Sequence, residues 1–398
     1  MDPDLSTLDD RLDAAGVDAY CLDAASTEPN QLYLSGFDAP DPFFTAYALT
    51  APDGTGELAV LVSGLEYGRA KKESRADAVA RLADYDYHER VGEYGEREGT
   101  ARTYAAFLAD LGVESALVPD RFPVGVADGL REAGVGVGVD GDDVVESVRA
   151  VKTDEEVEHV RRAQEANEAA LRAAEELIAG AGVADDGTLT HEGEPLTSER
   201  VSEEIEVTLL RHGCALDETI VAGGADAADP HDRGSGPLSA DEAIVIDVFP
   251  RDKASKYHSD MTRTFLKGEP SDEIRDRYDL TEEALEAALA AVEPGATGAD
   301  VHAAACDVYE AAGHPTLRSD PTTETGYIHS TGHGVGLAVH ERPGLNPRGG
   351  ALEPGHVITV EPGLYDPAVG GVRIEDIVVV TEDGYENLTD YPVELVVG

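Results

Sequence analysis

Short apolar runs alternate with polar segments along the first 150 residues, and their spacing predicts alternating helices and strands. Apolar residues three and four positions apart indicate helices over Leu5–Ala15, Tyr67–Leu82, Ala101–Leu111 and Val124–Ala133. Compact apolar runs indicate strands over Asp18–Leu22, Gln31–Phe37, Glu57–Val62, Ala116–Pro119 and Val135–Val139. This order predicts an α/β layer domain over residues 1–150.

The pattern changes near residue 150. Thr153 and Glu156 have the spacing of a capping box, and helical periodicity continues from there to Ala179. Further helices are predicted over Ser198–His212, Asp272–Val292 and Ala299–Ala312. Strands are predicted over Thr219–Ala222, Ala243–Phe249, Met261–Leu266, Val357–Val360, Val372–Val380 and Glu394–Val397. Helices segregated from an antiparallel sheet predict a second, α+β domain over residues 151–398.

The charge balance excludes two classes of partner. The chain has 81 acidic and 30 basic residues, for a formal net charge of −51. Such a surface repels nucleic acid and anionic lipid, so we expect neither to bind. The acidic residues are spread along the chain, which indicates adaptation to a salt-rich cytoplasm, as in a halophile. Three separated cysteines fit a reducing compartment, and no apolar run has the length of a membrane span, so we expect a cytoplasmic protein.

Four carboxylates lie in or beside apolar strands, where an unpaired charge is costly. Asp247 interrupts AIVIDVF, and Asp260 begins the strand that returns from it. The loop between them is even in length, so both carboxylates can occupy one face of the hairpin. Glu361 and Glu375 flank a second hairpin through Gly363–Gly371. Four buried carboxylates repel one another, and together with an imidazole they suit a pair of metal ions that share bridging oxygens.

The imidazole is expected from the segment Tyr327–Pro343, which contains His329, His333 and His340 among three glycines. The glycines allow the backbone to approach a neighbour closely, and we expect them to make room for a bound peptide. By itself the segment does not distinguish a functional site from a glycine-rich turn with incidental histidines.

Five stretches, VIDVF, HSDMTRTF, STGHGVGL, TVEPGLY and VRIEDIVVV, resemble the metallopeptidase family of methionine aminopeptidase, prolidase and aminopeptidase P. The resemblance covers residues 150–398 and implies the pita-bread fold, a pseudo-symmetric α+β domain. Residues 1–150 resemble, through QLYLSGF, the N-terminal domain of prolidases, aminopeptidases P and creatinases. Methionine aminopeptidases usually lack that domain, and creatine-hydrolysing relatives lack the full metal set, so both are disfavoured.

The resemblance implies a dinuclear metal site. Asp247 would bind one ion, Asp260 and Glu375 would bridge both, and His333 and Glu361 would complete the second. Ligation dominated by carboxylates suits Mn²⁺, and Co²⁺, Zn²⁺ or Fe²⁺ would also fit.

The resemblance also implies roles for residues around the metals. Glu361 would accept a proton from the attacking water, and His340, or His231 with it, would hydrogen-bond the developing oxyanion. His329 would line the substrate site. Arg373 and Tyr365 would orient the site and contribute to substrate binding.

The implied substrates are short peptides with proline in the second position, and a homodimer is expected. Xaa-Pro aminopeptidase and Xaa-Pro dipeptidase activities both stay open, as does a non-catalytic peptide- or protein-binding protein on the same fold. The loop Pro250–Lys256 makes the interval between the two aspartates two residues longer than is usual in the family. His258 in that region is interpreted as structural.

Overall fold

The computed structural model describes residues 3–51 and 54–398, which divide into two compact units, 1–149 and 150–398. The strands of the first unit are β1 Ala19–Ala24, β2 Phe43–Ala48, β3 Glu57–Val62, β4 Ala78–Arg81, β5 Ser115–Val118 and β6 Gly136–Val139. Its helices are α1 Ser6–Ala15, α2 Pro29–Ser35, α3 Tyr67–Glu73, α4 Tyr87–Tyr94, α5 Glu96–Asp110, α6 Val124–Glu132 and α7 Val144–Ala150. The strands form one mixed sheet in the order β4-β3-β2-β1-β5-β6, with apolar residues buried on both faces.

The prediction of a strand over Gln31–Phe37 is wrong, because its first five residues lie in helix α2, which ends at Ser35. Pro29 occupies the first turn, where its missing N–H costs nothing, and the Glu28 side chain accepts a hydrogen bond from the Asn30 N–H. Gly36 ends the helix in the left-handed conformation at φ 61°. These capping features outweigh the apolar run between them.

One further prediction for the first unit needs correction, and one strand is missing from the predictions. The helix expected over Tyr67–Leu82 ends at Glu73, and the chain then enters strand β4. The Asp77 N–H donates to the Leu58 carbonyl, which draws the segment onto the sheet edge. The buried strand β2 was not predicted, since all six of its residues are buried and it therefore shows no polar alternation.

The second unit contains helices α8 Asp154–Ala179, α9 Ser198–Arg211, α10 Asp272–Ala290 and α11 Gly298–Ala311. Its first strands are β7 Gly182–Val183, β8 Leu189–His191, β9 Glu194–Pro195, β10 Cys214–Ala215, β11 Thr219–Gly223, β12 Ile244–Val248, β13 Arg251–Asp252 and β14 Met261–Phe265. The remaining strands are β15 Gly332–Gly334, β16 Glu341–Leu345, β17 Val357–Val360, β18 Gly363–Asp366, β19 Gly370–Arg373, β20 Asp376–Thr381 and β21 Gly384–Asn387. Among the described residues, no helix combines the length and apolarity needed to cross a membrane.

Two helix pairs cover two sheets in the second unit. Helices α8 and α9 share an apolar core with the sheet β11-β12-β14. Helices α10 and α11 share another core with strands of the sheet β16-β15-β17-β20-β21. Burial of these apolar faces is the main stabilising term, and the arrangement confirms the predicted α+β architecture.

The strand expected over Val372–Val380 is two strands, because β19 pairs with β18 whereas β20 pairs with β17. At the break between them, the Glu375 N–H donates to the Thr262 carbonyl at 3.0 Å and so connects the break to strand β14 of the sheet β11-β12-β14. The predicted strand Glu394–Val397 is wrong as well, since only a single bridge connects Leu266 and Val396 there.

The net charge of −51 predicts that salt stabilises the fold. The screening length falls from about 10 Å at 0.1 M salt to about 3 Å at 1 M, which weakens repulsion between carboxylates. We expect the thermal unfolding midpoint to rise by about 2–4 °C for each kcal/mol of repulsion relieved. A scan in 0.1–2 M KCl measures this, and a midpoint independent of salt would contradict it.

Candidate metal centre

Two hairpins carry the four predicted carboxylates. In the first, Asp247 on β12 lies opposite Thr262 on β14, and Asp260 precedes Thr262 by two residues. Because side chains alternate along a strand, Asp247, Asp260 and Thr262 share one face of the sheet. In the second hairpin, Gly363 pairs with Arg373, so Glu361 and Glu375 lie just outside its two ends. The Glu361 N–H donates to the Thr331 carbonyl at 2.8 Å, which brings the histidine segment alongside.

His333 lies at the centre of strand β15, among these carboxylates. Its Nε2 atom is 3.4 Å from Glu361 Oε1 and 3.7 Å from Asp260 Oδ2. Asp260, His333 and Glu375 each offer a ligand atom, and these atoms lie within 4.8 Å of one another. The structure therefore brings together residues that the sequence spreads over more than a hundred positions.

Buried oxygen atoms at this cluster lack hydrogen-bond donors. Asp247 Oδ1, Asp260 Oδ1 and Glu375 Oε1 are buried without a partner among the described residues, although a buried acceptor normally has one. Asp260 and Glu375 are 4% and 1% exposed. Carboxylate oxygens next to a neutral imidazole are the donors that hard and borderline divalent cations prefer. The cluster therefore fits a divalent metal site.

The pKa values of three carboxylates in the cluster are raised, and a bound cation would oppose this change by stabilising their charged forms. Burial, and then the charge of Glu375, raises the pKa of Asp260 well above its usual value. Burial, and then the charge of Glu361, does the same to the pKa of Glu375. Burial raises the pKa of Glu361 to about 7, against the opposing effect of Arg373. Burial lowers the pKa of His333, which keeps its ring neutral and able to bind a metal.

Arg373 organises the side of the cluster next to Asp247. Its Nη2 donates to Asp247 Oδ2 at 2.6 Å, and its Nη1 donates to the Tyr365 hydroxyl at 3.1 Å. His329 Nε2 lies 2.9 Å from the same hydroxyl, and its Nδ1 lies 2.7 Å from the Ser330 carbonyl. The pattern assigns the proton of His329 to Nδ1, so that Nε2 accepts from Tyr365. Both nitrogens of His329 thus have partners within the protein.

Burial and the nearby Arg373 lower the pKa of His329 to about 3, so this ring is neutral at physiological pH. Burial raises the pKa of the Tyr365 hydroxyl to about 12, which keeps its proton in place as a donor. The hydrogen bonds that connect Asp247 to His329 through Arg373 and Tyr365 therefore have defined donors and acceptors. The substrate-binding roles of His329, Arg373 and Tyr365 remain predictions.

The other two predicted histidines are exposed. The ring of His340 lies 4.1 Å from that of His333, centroid to centroid. His231 follows Pro230, whose carbonyl accepts from Arg373 Nη1 at 3.1 Å. Arg373 therefore holds the His231 loop on the same side as Asp247. Both positions are open to a ligand that enters from solvent.

Comparisons with known proteins identify the cluster. The model of metallopeptidase family M24 matches residues 158–382. The chain belongs to this family. The Xaa-Pro dipeptidase of Pyrococcus furiosus is 30% identical over 371 residues, which cover 92% of each chain. It follows that the protein is a peptidase, a hydrolase of the metallopeptidase class.

Solved structures agree with the family assignment. The Xaa-Pro dipeptidase of Bacillus anthracis superimposes with a TM-score of 0.82 at 26% identity, over 99% of each chain. The X-Pro aminopeptidase of Thermotoga maritima gives 0.79 at 25% identity, over 98% of this chain and all of the other. The prolidase of P. furiosus gives 0.77 at 27% identity, over 96% and 99%. These likenesses confirm the predicted pita-bread fold.

The M24 peptidase also uses two threonines that were not predicted. Thr262 Oγ1 donates to Glu375 Oε2 at 2.7 Å and accepts from Arg373 Nε at 3.2 Å. Thr359 Oγ1 donates to Glu361 Oε1 at 3.2 Å and accepts from the His333 N–H at 3.1 Å. Each threonine lies two residues from a predicted carboxylate on the same strand face. That alternation is the signal that could have identified them.

The glycines near His333 have a role in packing within the sheet and not the expected role in substrate binding. A Cβ atom on Gly332 would lie 2.0 Å from the Thr359 carbonyl oxygen, and one on Gly334 would lie 2.1 Å from that of Arg342. Neighbouring strands of the peptidase occupy this space. The interpretation that these glycines make room for a peptide is therefore wrong, because they permit close packing within the sheet.

Part of the longer loop Pro250–Lys256 forms a short β-strand that pairs with another strand of the second unit. Arg251 and Asp252 form the short strand β13, which is antiparallel to Cys214–Ala215. His258 has a packing role that fits its structural interpretation, since its N–H donates to the Gly336 carbonyl at 2.8 Å. Burial, and then Arg251, lowers the pKa of His258 to about 4.

Proposed function

We propose that this M24 peptidase removes an N-terminal residue from the proline that follows it, with two divalent ions held by Asp247, Asp260, His333, Glu361 and Glu375. The observation that carries the proposal is the set of buried carboxylate oxygens around His333 that have no hydrogen-bond donor in the described part of the chain. Five ligands with four carboxylates exceed the needs of one small divalent ion, and the set would hold a pair of such ions. Manganese is the ion that this donor set favours.

When bound, the ions supply an activated water and polarise the scissile carbonyl. Glu361 is the residue that accepts the proton of that water. A positioned carboxylate is a general base of the kind that this step needs. Thr359 fixes the orientation of its carboxylate through Oε1.

His340 and His231 stand on the open side of the cluster and donate hydrogen bonds to the oxyanion that develops during attack. Hydrogen bonds from Arg373, which is itself bonded to Tyr365 and through it to His329, hold Asp247 in place. In this proposal Asp247 recognises the free α-amine of the substrate. Recognition of that amine would limit cleavage to the first residue.

Dipeptides are the proposed preferred substrates, because the Xaa-Pro dipeptidases of P. furiosus and Pyrococcus horikoshii match nearly the whole chain. Longer peptides are the second candidate, since the X-Pro aminopeptidase of T. maritima has the same fold over its full length. A homodimer and a cytoplasmic location remain predictions, and light scattering in solution tests the first.

The test is a comparison of substrates with the Mn²⁺-loaded protein in molar KCl. We expect release of alanine from Ala-Pro at a rate at least about tenfold above that from Ala-Pro-Ala, and little release from Ala-Gly. Faster cleavage of Ala-Pro-Ala would assign aminopeptidase activity instead. Cleavage of Ala-Gly at the rate of Ala-Pro would contradict the proposed requirement for proline.

A further inference from the structure

A buried ion pair lies behind the metal cluster. Lys152 Nζ is 2.5 Å from Glu341 Oε1, and the two side chains are 1% and 2% exposed. A pair removed from water in this way carries a desolvation penalty of several kcal/mol per ion, so it is weak evidence for stability alone. Its place in the chain indicates another role, because Glu341 directly follows His340.

The Glu341 carboxylate closes the loop that leads from His333 to His340. Its Oε2 accepts from the Ala338 N–H at 3.3 Å, while the backbone of Glu341 pairs with Gly334. A Cβ atom on Gly336 would lie 2.2 Å from Glu341 Oε1 and 3.0 Å from Lys152 Cε. The loop is therefore folded around the ion pair, with no room for a side chain at Gly336.

Lys152 is itself held by the strand that leads to Glu361. Its N–H donates to the Gly355 carbonyl at 2.9 Å, and Val151 forms a bridge with His356. Strand β17 begins one residue after His356 and ends at Val360. The ion pair thus connects the strand before Glu361 to the loop that presents His340.

We propose that Lys152 and Glu341 are positioning residues, which hold the loop 335–340 so that His340 stays beside His333. In this role both residues act through the backbone of the loop. The effect on catalysis rests on the proposed function, in which His340 contacts the substrate. The effect on the loop does not, because it belongs to the metal-free fold.

The key variant replaces both charges, since removal of one leaves the other buried and unpaired. Lys152→Met with Glu341→Met keeps the volume apolar and is expected to unfold near the wild-type temperature. Lys152→Gln with Glu341→Gln provides a polar version if the first does not fold. The control is Arg161→Met with Glu386→Met, which removes a half-exposed ion pair of the same unit.

The first readout is amide hydrogen exchange of the metal-free protein. Exchange in residues 336–340 is expected to rise roughly tenfold in the double variant and to stay unchanged in the control. Exchange in Val357–Val360 should match the wild type, because its ladder with β20 remains. Wild-type exchange in the loop of the double variant would overturn the proposal, whatever the protein's activity.

The second readout is kinetic. We expect kcat of the double variant to fall about 10²-fold, as misplacement of a catalytic group by an ångström can cause. The same double replacement in a His340→Ala background should cost little more, because the pair acts through His340. A full additional loss in that background would overturn the positioning role. If wild-type protein cleaves no Xaa-Pro peptide, the proposed function fails, and hydrogen exchange still decides the role of the pair.

Discussion

The Glu361→Gln variant is expected to lose about 10²–10⁴-fold of kcat, the range for removal of a positioned general base. Glutamine has nearly the shape of glutamate and can still accept the hydrogen bond that Thr359 Oγ1 donates at 3.2 Å. It cannot take up a proton. The native carboxylate can do so, and in the metal-free protein burial raises its pKa to about 7.

Hydrolysis of Ala-Pro, expressed per bound metal, measures this effect separately from any loss of an ion. Thermal unfolding shows whether the variant is folded. Glu382→Gln is the control, because Glu382 is an exposed glutamate in the same unit. If Glu361→Gln kept more than about a tenth of the wild-type kcat with its full metal content, Glu361 would not be the base.

The Glu375→Gln variant is expected to lose activity and yet to stabilise the metal-free fold. Outer-shell residues of metal sites typically contribute 10–100-fold to affinity or activity, so loss of a predicted bridging ligand should cost about 10²-fold or more. In the metal-free protein, however, burial and the charges of Glu361 and Asp247 oppose ionisation of Glu375. An amide at this position removes that repulsion.

The sign of the pH dependence follows from the raised pKa values of Asp260, Glu361 and Glu375. Between the unfolded pKa near 4 and the raised folded values, the folded state binds more protons than the unfolded state. The contribution of these groups to the stability of the metal-free protein is therefore fully present below about pH 4, and it is lost as the pH rises from there through the folded pKa values.

Thermal unfolding of the metal-free and Mn²⁺-loaded proteins at pH 5 and pH 8 tests this second prediction. At pH 8 without metal, Glu375→Gln should unfold at a higher temperature than the wild type, and the difference should shrink at pH 5. With Mn²⁺ the order should reverse, because only the wild type has the full ligand set. A metal-free variant less stable than the wild type at pH 8 would refute the repulsion described for the cluster.

The helices of the second unit and its strands β11, β12, β14 and β17 could be predicted from the sequence, because their apolar periodicity and caps are local. The capping box at Thr153 and Glu156 forms as expected at the start of α8. The segment Gln31–Phe37 could not be assigned from its apolar residues, since Pro29 and Gly36 decide its conformation. Local rules also gave no sign of the break at Glu375, where the chain leaves one sheet for another.

The two hairpins of the candidate site were predictable for a physical reason. Side chains alternate along a strand, so the spacing of Asp247 and Asp260 in one hairpin, and of Glu361 and Glu375 in the other, allows each pair to share a face. The resemblance of the motifs supplied the predicted link to His333. The sequence could not show which distant residues these groups contact: Arg373 with Asp247, Thr262 with Glu375, and Lys152 with Glu341 are each more than a hundred positions apart.

The most direct test of the proposed dinuclear site is metal titration of the stripped protein. After chelation and gel filtration in molar KCl, Mn²⁺ is added in steps while alanine release from Ala-Pro and bound metal are measured. A dinuclear site predicts no release without metal and a plateau at two ions per chain. A plateau at one ion, or full activity after chelation, would contradict it.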